Sequence, residues 1–264
     1  TLLKDSANLI SNLSYRLKHT GSTLINTKNH ATAKPFAEIA KSATWLLKNK
    51  TFEIGILHIH LCDYYKVVGN FKASIIQINK ALEIFEKNDK ENHLVCLERF
   101  GDIYQLQGDF KKALSFFELR SQLAKELFNA NPEKESLKNG LAISYERLGS
   151  IYQKQGDFKK AIRFFKQYNN LNKELVDANP QSESFKNGLA IFYERLGSIH
   201  QQQGDLKKAI QFFEKYNNLT KELFEANPYN ELLKNELAIS YERLGTVYRQ
   251  QGDLKKAVYF FELR

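Results

Sequence analysis

Long apolar runs are missing from this sequence. None approaches the roughly 18 residues that a membrane-spanning helix requires, so no transmembrane helix is expected. Methionine is absent, the chain starting at Thr1, and no secretory leader is visible. Cysteine occurs only at Cys62 and Cys96, which read as reduced, buried packing residues of a cytoplasmic protein. There is no phosphate-cradling Gly-x-x-x-x-Gly-Lys, no His-Glu-x-x-His and no Cys-x-x-Cys. His58 and Cys62, with His93 and Cys96 further on, are the nearest approach to a metal-ligand set. No equivalents recur downstream, so they read as core residues. The carboxylates are scattered as caps and solvated charges, without a convergent pair. A non-enzymatic chain with no metal and no cofactor is expected.

The formal charge of +9 is uneven. Residues 1–50 hold eight Lys or Arg against two acids, 133–180 hold nine against six, and 181–228 six of each. The basic first segment admits contact with nucleic acid, an acidic partner or another domain of the same protein. The aromatics fall at core positions rather than among the basic residues, which ranks nucleic acid last.

What the sequence has is a period. Tyr145-Glu-Arg-Leu-Gly149 returns at 193–197 and 241–245, 48 residues apart each time, with a looser copy at 97–101. Gly156-Asp-Phe-Lys-Lys-Ala161 keeps that spacing, with closely similar copies at 108–113, 204–209 and 252–257, and Ala130-Asn-Pro132 returns at 178–180 and 226–228. Three markers on one period define a repeat array. Within a unit, Leu137, Leu141, Tyr145, Leu148 and Tyr152 step by four, four, three and four, one face of a helix. Gly156 ends that helix in the left-handed conformation, and Asp157 caps the next. The second helix carries Phe158, Ala161, Ile162, Phe165, Tyr168 and Leu175, and stops near Asn179-Pro180. Ser182 or Ser184 caps the following first helix. Gly140 and Gly188 read as tolerated inside helices, at roughly 1 kcal/mol each relative to alanine.

These residues resemble the tetratricopeptide repeat family. Its first-helix pattern of bulky residue, Leu-Gly and Tyr matches Tyr145, Leu148-Gly149 and Tyr152, and its second-helix small residue and aromatic match Ala161 and Phe165. The standard unit is 34 residues, so both helices are extended here. The resemblance implies an all-α, right-handed α-solenoid of helical hairpins, with Gly149 and Ala161 placed where two helices cross. Gly69-Asn-Phe-Lys-Ala73 looks like a degraded copy of the turn marker, putting Cys62 at the crossing glycine's place and Ser74 at the alanine's. The expected organisation is a divergent helical hairpin or cap over 1–50 (helices at 2–18 and 33–48), a shorter degenerate repeat over 51–91 and long repeats over 92–264. The last repeat stops within its second helix, which suggests a piece of a longer protein.

In the resembling family the first helices line an inner groove. Carried over by position, the partner-binding residues would be Glu98, Asp102 and Gln105 in the first long unit. Glu146, Ser150, Gln153 and Lys154 follow, then Glu194, Ser198, Gln201 and Gln202, then Glu242, Thr246, Arg249 and Gln250. Val95, Ile143, Ile191 and Ile239 complete the strip, and Arg99, Arg147, Arg195 and Arg243 flank it. Polar groups in a row suit an extended peptide. Glutamate stands where carboxylate-clamping relatives carry lysine, which argues against that mode. The Glu-Arg ladder has a second reading, as ion pairs that hold adjacent repeats in register. The expected function is a protein-interaction module binding a peptide or protein along the groove. The alternative is a ligand-sensing segment of a larger signalling or bacterial defence protein, with docking to its other domains.

Overall fold

The computed structural model describes residues 52–264 and, upstream, positions 8, 12, 15, 34, 35 and 37–42, all helical. Ala37 and Ala40 pack with Leu57 and Leu61; otherwise the hairpin expected over 1–50 lies outside the described residues. Ten helices follow: α1 Phe52–Val67, α2 Phe71–Phe85, α3 Lys90–Leu106, α4 Phe110–Ala130, α5 Glu135–Lys154, α6 Phe158–Ala178, α7 Glu183–Gln202, α8 Leu206–Ala226, α9 Glu231–Gln251 and α10 Leu254–Glu262. No strand occurs among the described residues. The all-α, helical-hairpin solenoid class is therefore as expected. By packing, the chain divides within α4 into one unit over 1–123 and another over 124–264.

In the second unit the hairpins are α5 with α6, α7 with α8 and α9 with α10, and α6 packs on α7 as α8 does on α9. The turn inside each hairpin follows from local chemistry. Gly156 sits at φ +80° and Gly204 at +79°, where a Cβ would be strained. Asp157 then accepts from the Lys160 amide at 3.0 Å, and Asp205 from Lys208 at 3.1 Å, satisfying an otherwise unpartnered donor. That backbone bond also holds the Asp157 carboxyl below its usual range. Between hairpins, Ser182 rather than Ser184 caps α7, accepting from Phe185 N, while α5 starts at Lys134 without a side-chain cap.

The core repeats with the sequence. Phe165 and Phe213 are fully buried, as are Ala161 and Ala209. The crossing differs in detail from expectation. A Cβ on Gly149 would meet the Phe165 ring at 2.7 Å, and one on Gly197 the Phe213 ring at 2.6 Å. The glycine is thus a seat for the next helix's aromatic ring, rather than a close approach to its alanine. In the first unit Gly101 seats Phe117 in the same way. At the corresponding positions upstream, the Ser74 hydroxyl donates to the Cys62 carbonyl at 2.8 Å, and Cys62 Sγ lies 3.2 Å from Ser74 Oγ.

Candidate interaction surface

The first helices α5, α7 and α9 are tied side by side by contacts that pair each residue with one 49 positions on. Arg195 donates from Nε and Nη2 to Glu146 Oε1 at 3.2 and 3.1 Å. One repeat later Arg243 Nη2 pairs with Glu194 Oε1 at 2.9 Å, and Gln201 donates to Gln250 Oε1 at 2.8 Å. Glu146 and Glu194 are buried, and Ser150 donates to Glu146 at 2.8 Å. Of the two readings of the Glu-Arg ladder, the geometry gives these carboxylates a structural partner in the next repeat. Arg195 also reaches Glu194 at 3.3 Å, so the pairs form a chain.

Outside this ladder the strip is polar and open. Gln153, Ser198 and Thr246 are half-buried, while Lys154, Gln202, Arg249 and Gln250 are exposed. Glu242 is half-buried and pairs with Arg264 at 3.5 Å. Ile143 and Ile191 are half-buried, whereas Ile239 is 39% exposed. Arg249 stands over the Phe261 ring at 5.9 Å.

In the first unit the predicted positions sit in a charged cluster. Arg99 Nε pairs with Asp63 at 2.8 Å, Lys66 bridges Asp63 at 3.1 Å and Asp102 at 3.6 Å, and Glu98 pairs with the buried Arg120 at 3.1 Å. Gln105 is half-buried. Asp63 and Arg120 were missed by the sequence reading. Asp63 stands 36 residues before Arg99, an offset that neither the 48-residue period nor the 39-residue spacing of the first repeat picks out. Also missed were the pairs closing each hairpin, Lys138 with Glu174 at 3.0 Å and Lys186 with Glu222 at 2.7 Å. Their shared offset of 36 is the signal that a pairwise search of the period would have found.

The metal-like constellation has a packing account. His58 Nδ1 pairs with Gln77 Oε1 at 2.7 Å. Burial pushes the Cys62 thiol up to about 11 and the Cys96 thiol up to about 12. Among the described residues no group of three His, Cys, Asp or Glu side chains is placed to hold a metal ion. Burial lowers the His58 pKa from its ordinary 6.5, against the opposing pull of Gln77. Below that value the unfolded chain binds the extra proton first, so stability falls as the pH drops through this window. Urea unfolding at pH 7 and pH 5 is expected to show that loss, and His58→Gln to reduce its slope; an unchanged slope would contradict it.

Helical hairpins each closed by a glycine-seated ring, with ladders between their first helices, define a helical-repeat scaffold that presents an extended surface. A tetratricopeptide repeat family model matches residues 53–126, and a second matches 142–175 and 190–222. The chain belongs to the tetratricopeptide repeat family, a fold that generally serves as a protein-interaction scaffold. No curated protein sequence matches it significantly. Among solved structures it is similar to BtubC (BKLC) from P. vanneervenii, with TM-score 0.66 and 20% identity, covering 89% of this chain and 88% of that one. Aspartyl phosphate phosphatase F from Bacillus subtilis gives TM-score 0.64 at 16% identity, covering 94% and 68%. A signal transduction ATPase with a tetratricopeptide repeat sensor, PH0952 from Pyrococcus horikoshii, gives 0.59 at 17% identity; 92% of this chain matches 34% of that protein. At these identities the likeness is one of fold. No helix among the described residues is long and apolar enough to cross a membrane.

Proposed function

We propose that this chain is a protein-interaction module whose second unit binds an extended peptide along the polar strip of α5, α7 and α9. The observation that supports it is a division of labour on those helices. Glu146 and Glu194 are consumed by Arg195 and Arg243. Beyond them Gln153, Lys154, Ser198, Gln202 and Thr246 remain at least half-open. Extended backbone needs donors and acceptors in a row, which amides and hydroxyls one helix apart supply. The test is selection of binders from a displayed random-peptide library. A Gln153→Ala, Gln202→Ala, Arg249→Ala variant is expected to lose the enriched peptides, with helicity and melting unchanged. Equal enrichment on the variant would overturn the reading.

A second reading, a sensor segment of a larger signalling protein, is favoured by one observation. This chain's fold matches about a third of an ATPase whose description names a tetratricopeptide repeat sensor. Intramolecular docking to an effector domain is its prediction. A full-length polypeptide without such a domain would remove it. The nucleic-acid reading rests on residues 1–50, outside the described residues apart from the few positions above.

A further inference from the structure

Three hydrogen bonds between side chains tie α8 to α9, where hairpin α7–α8 meets hairpin α9–α10. The Tyr216 hydroxyl donates to Glu236 Oε2 at 2.7 Å, Asn217 donates to Ser240 Oγ at 2.8 Å, and the Tyr248 hydroxyl donates to Glu214 Oε1 at 3.1 Å. One period earlier, at the contact of α5–α6 with α7–α8, every one of these acceptors is replaced. Gly188 stands for Glu236, Phe192 for Ser240, and the pair His200 and Lys166 for Tyr248 and Glu214. Buried polar atoms on α6 and α7 also lack partners. Asn169 Oδ1 and Asn187 Oδ1 are buried without a hydrogen-bond partner. Gly188 and Asn172 act together, because a Cβ at 188 would stand 2.6 Å from Asn172 Oδ1. The next repeat has Glu236 with Thr220 at those positions.

We propose that the contact between α6 and α7 is a flexible joint, the place where the second unit opens and closes while its neighbouring contact stays locked. Across it lie the Glu146–Arg195 pair and an apolar cluster of Phe165 and Tyr168 against Phe192, Leu196 and Ile199. Burial of Phe192 offsets part of the loss. It does so without direction, since apolar contacts permit helices to slide where hydrogen bonds do not. The stranded amides push the same way. Each lost its water on folding and recovers it when the joint opens. The ion pair, with Arg195 36% exposed, is a tether about which the hairpins rock. The joint lies between α5 and α7, whereas Gln201 and Gln250 fasten α7 to α9. Opening therefore changes the spacing of the α5 side chains from the rest of the strip, whatever binds there.

Hydrogen exchange of the full chain across a urea series tests this at peptide resolution. Amides of α6 and the first half of α7 are expected to exchange through a local opening, with weak urea dependence and about tenfold faster than global unfolding allows. An Asn172→Thr, Gly188→Glu, Phe192→Ser variant installs the neighbouring contact's residues. It is expected to slow exchange there about tenfold while amides of α8 move less than twofold. Should that variant not fold, the unmodified chain decides alone. Exchange of α6 and α7 only by global unfolding would overturn the joint, as would a variant that slows all helices alike.

Discussion

Phe213→Ala is expected to destabilise the chain by about 3–5 kcal/mol, the usual cost of emptying an aromatic site in a well-packed core. Phe213 is fully exposed to neighbours and to no solvent, with 0% of its surface open. Its ring lies against the α7 backbone at Gly197, where even a Cβ would intrude at 2.6 Å. Backbone cannot swing into the vacated space as a side chain would, so the cavity persists. An internal control exists. Phe261 sits on Gly245 in the same way, with the nearest approach at 2.7 Å, yet it is 36% exposed. Phe261→Ala therefore costs less than half as much, about 1–2 kcal/mol, because water already reaches the site. Urea midpoints of the two variants measure the difference. Equal losses would show that burial by the following helices does not set the energy of these rings.

Arg195→Ala is expected to cost about 2 kcal/mol, in the range for hydrogen bonds to charged groups. It strands Glu146, 9% exposed, with the Ser150 hydroxyl and an Arg147 guanidinium 3.9 Å from its other oxygen. The estimate is held down because the Arg195 side chain is 36% exposed and solvent screens the pair. A double-mutant cycle with Glu146→Ala isolates the interaction, and a coupling of about 1–2 kcal/mol is expected. The double variant is then less destabilised than the sum of the single ones, since no buried carboxylate remains alone. Strict additivity would mean that the ladder is decorative, and that Glu146 is available to a ligand.

Much of the architecture was legible because it is local. The 48-residue period, the helix faces, the left-handed Gly156 and the Asp157 cap each depend on residues within a few positions of one another. The degenerate repeat was legible for the same reason, through Gly69-Asn-Phe-Lys. Of the candidate strip, the sequence located the helices and the polar positions, since helical periodicity decides which side chains share a face. It left the role of Glu146 and Glu194 open between a groove and a ladder.

Tertiary structure gave Glu146 and Glu194 a partner in the next repeat and set the character of each contact between repeats. Glu146 has Arg147 next to it in sequence, yet its close partner is Arg195, one residue more than a period away on the neighbouring first helix. Gly140 and Gly188 occupy equivalent positions and look alike as tolerated helix glycines. In the fold, a Cβ added to Gly140 would meet nothing within 4 Å, while one on Gly188 would stand 2.6 Å from Asn172 Oδ1. By itself, then, the sequence determined the repeat, its helices, its turns and the identity of its core rings, all set by steric and hydrogen-bonding rules that act within a few residues. Which charges pair, which glycine is a seat and which contact lacks its hydrogen bonds were decided only by the packing. Those outcomes depend on the separation and offset of helix axes, and residues tens of positions apart meet only after the hydrophobic core has fixed both.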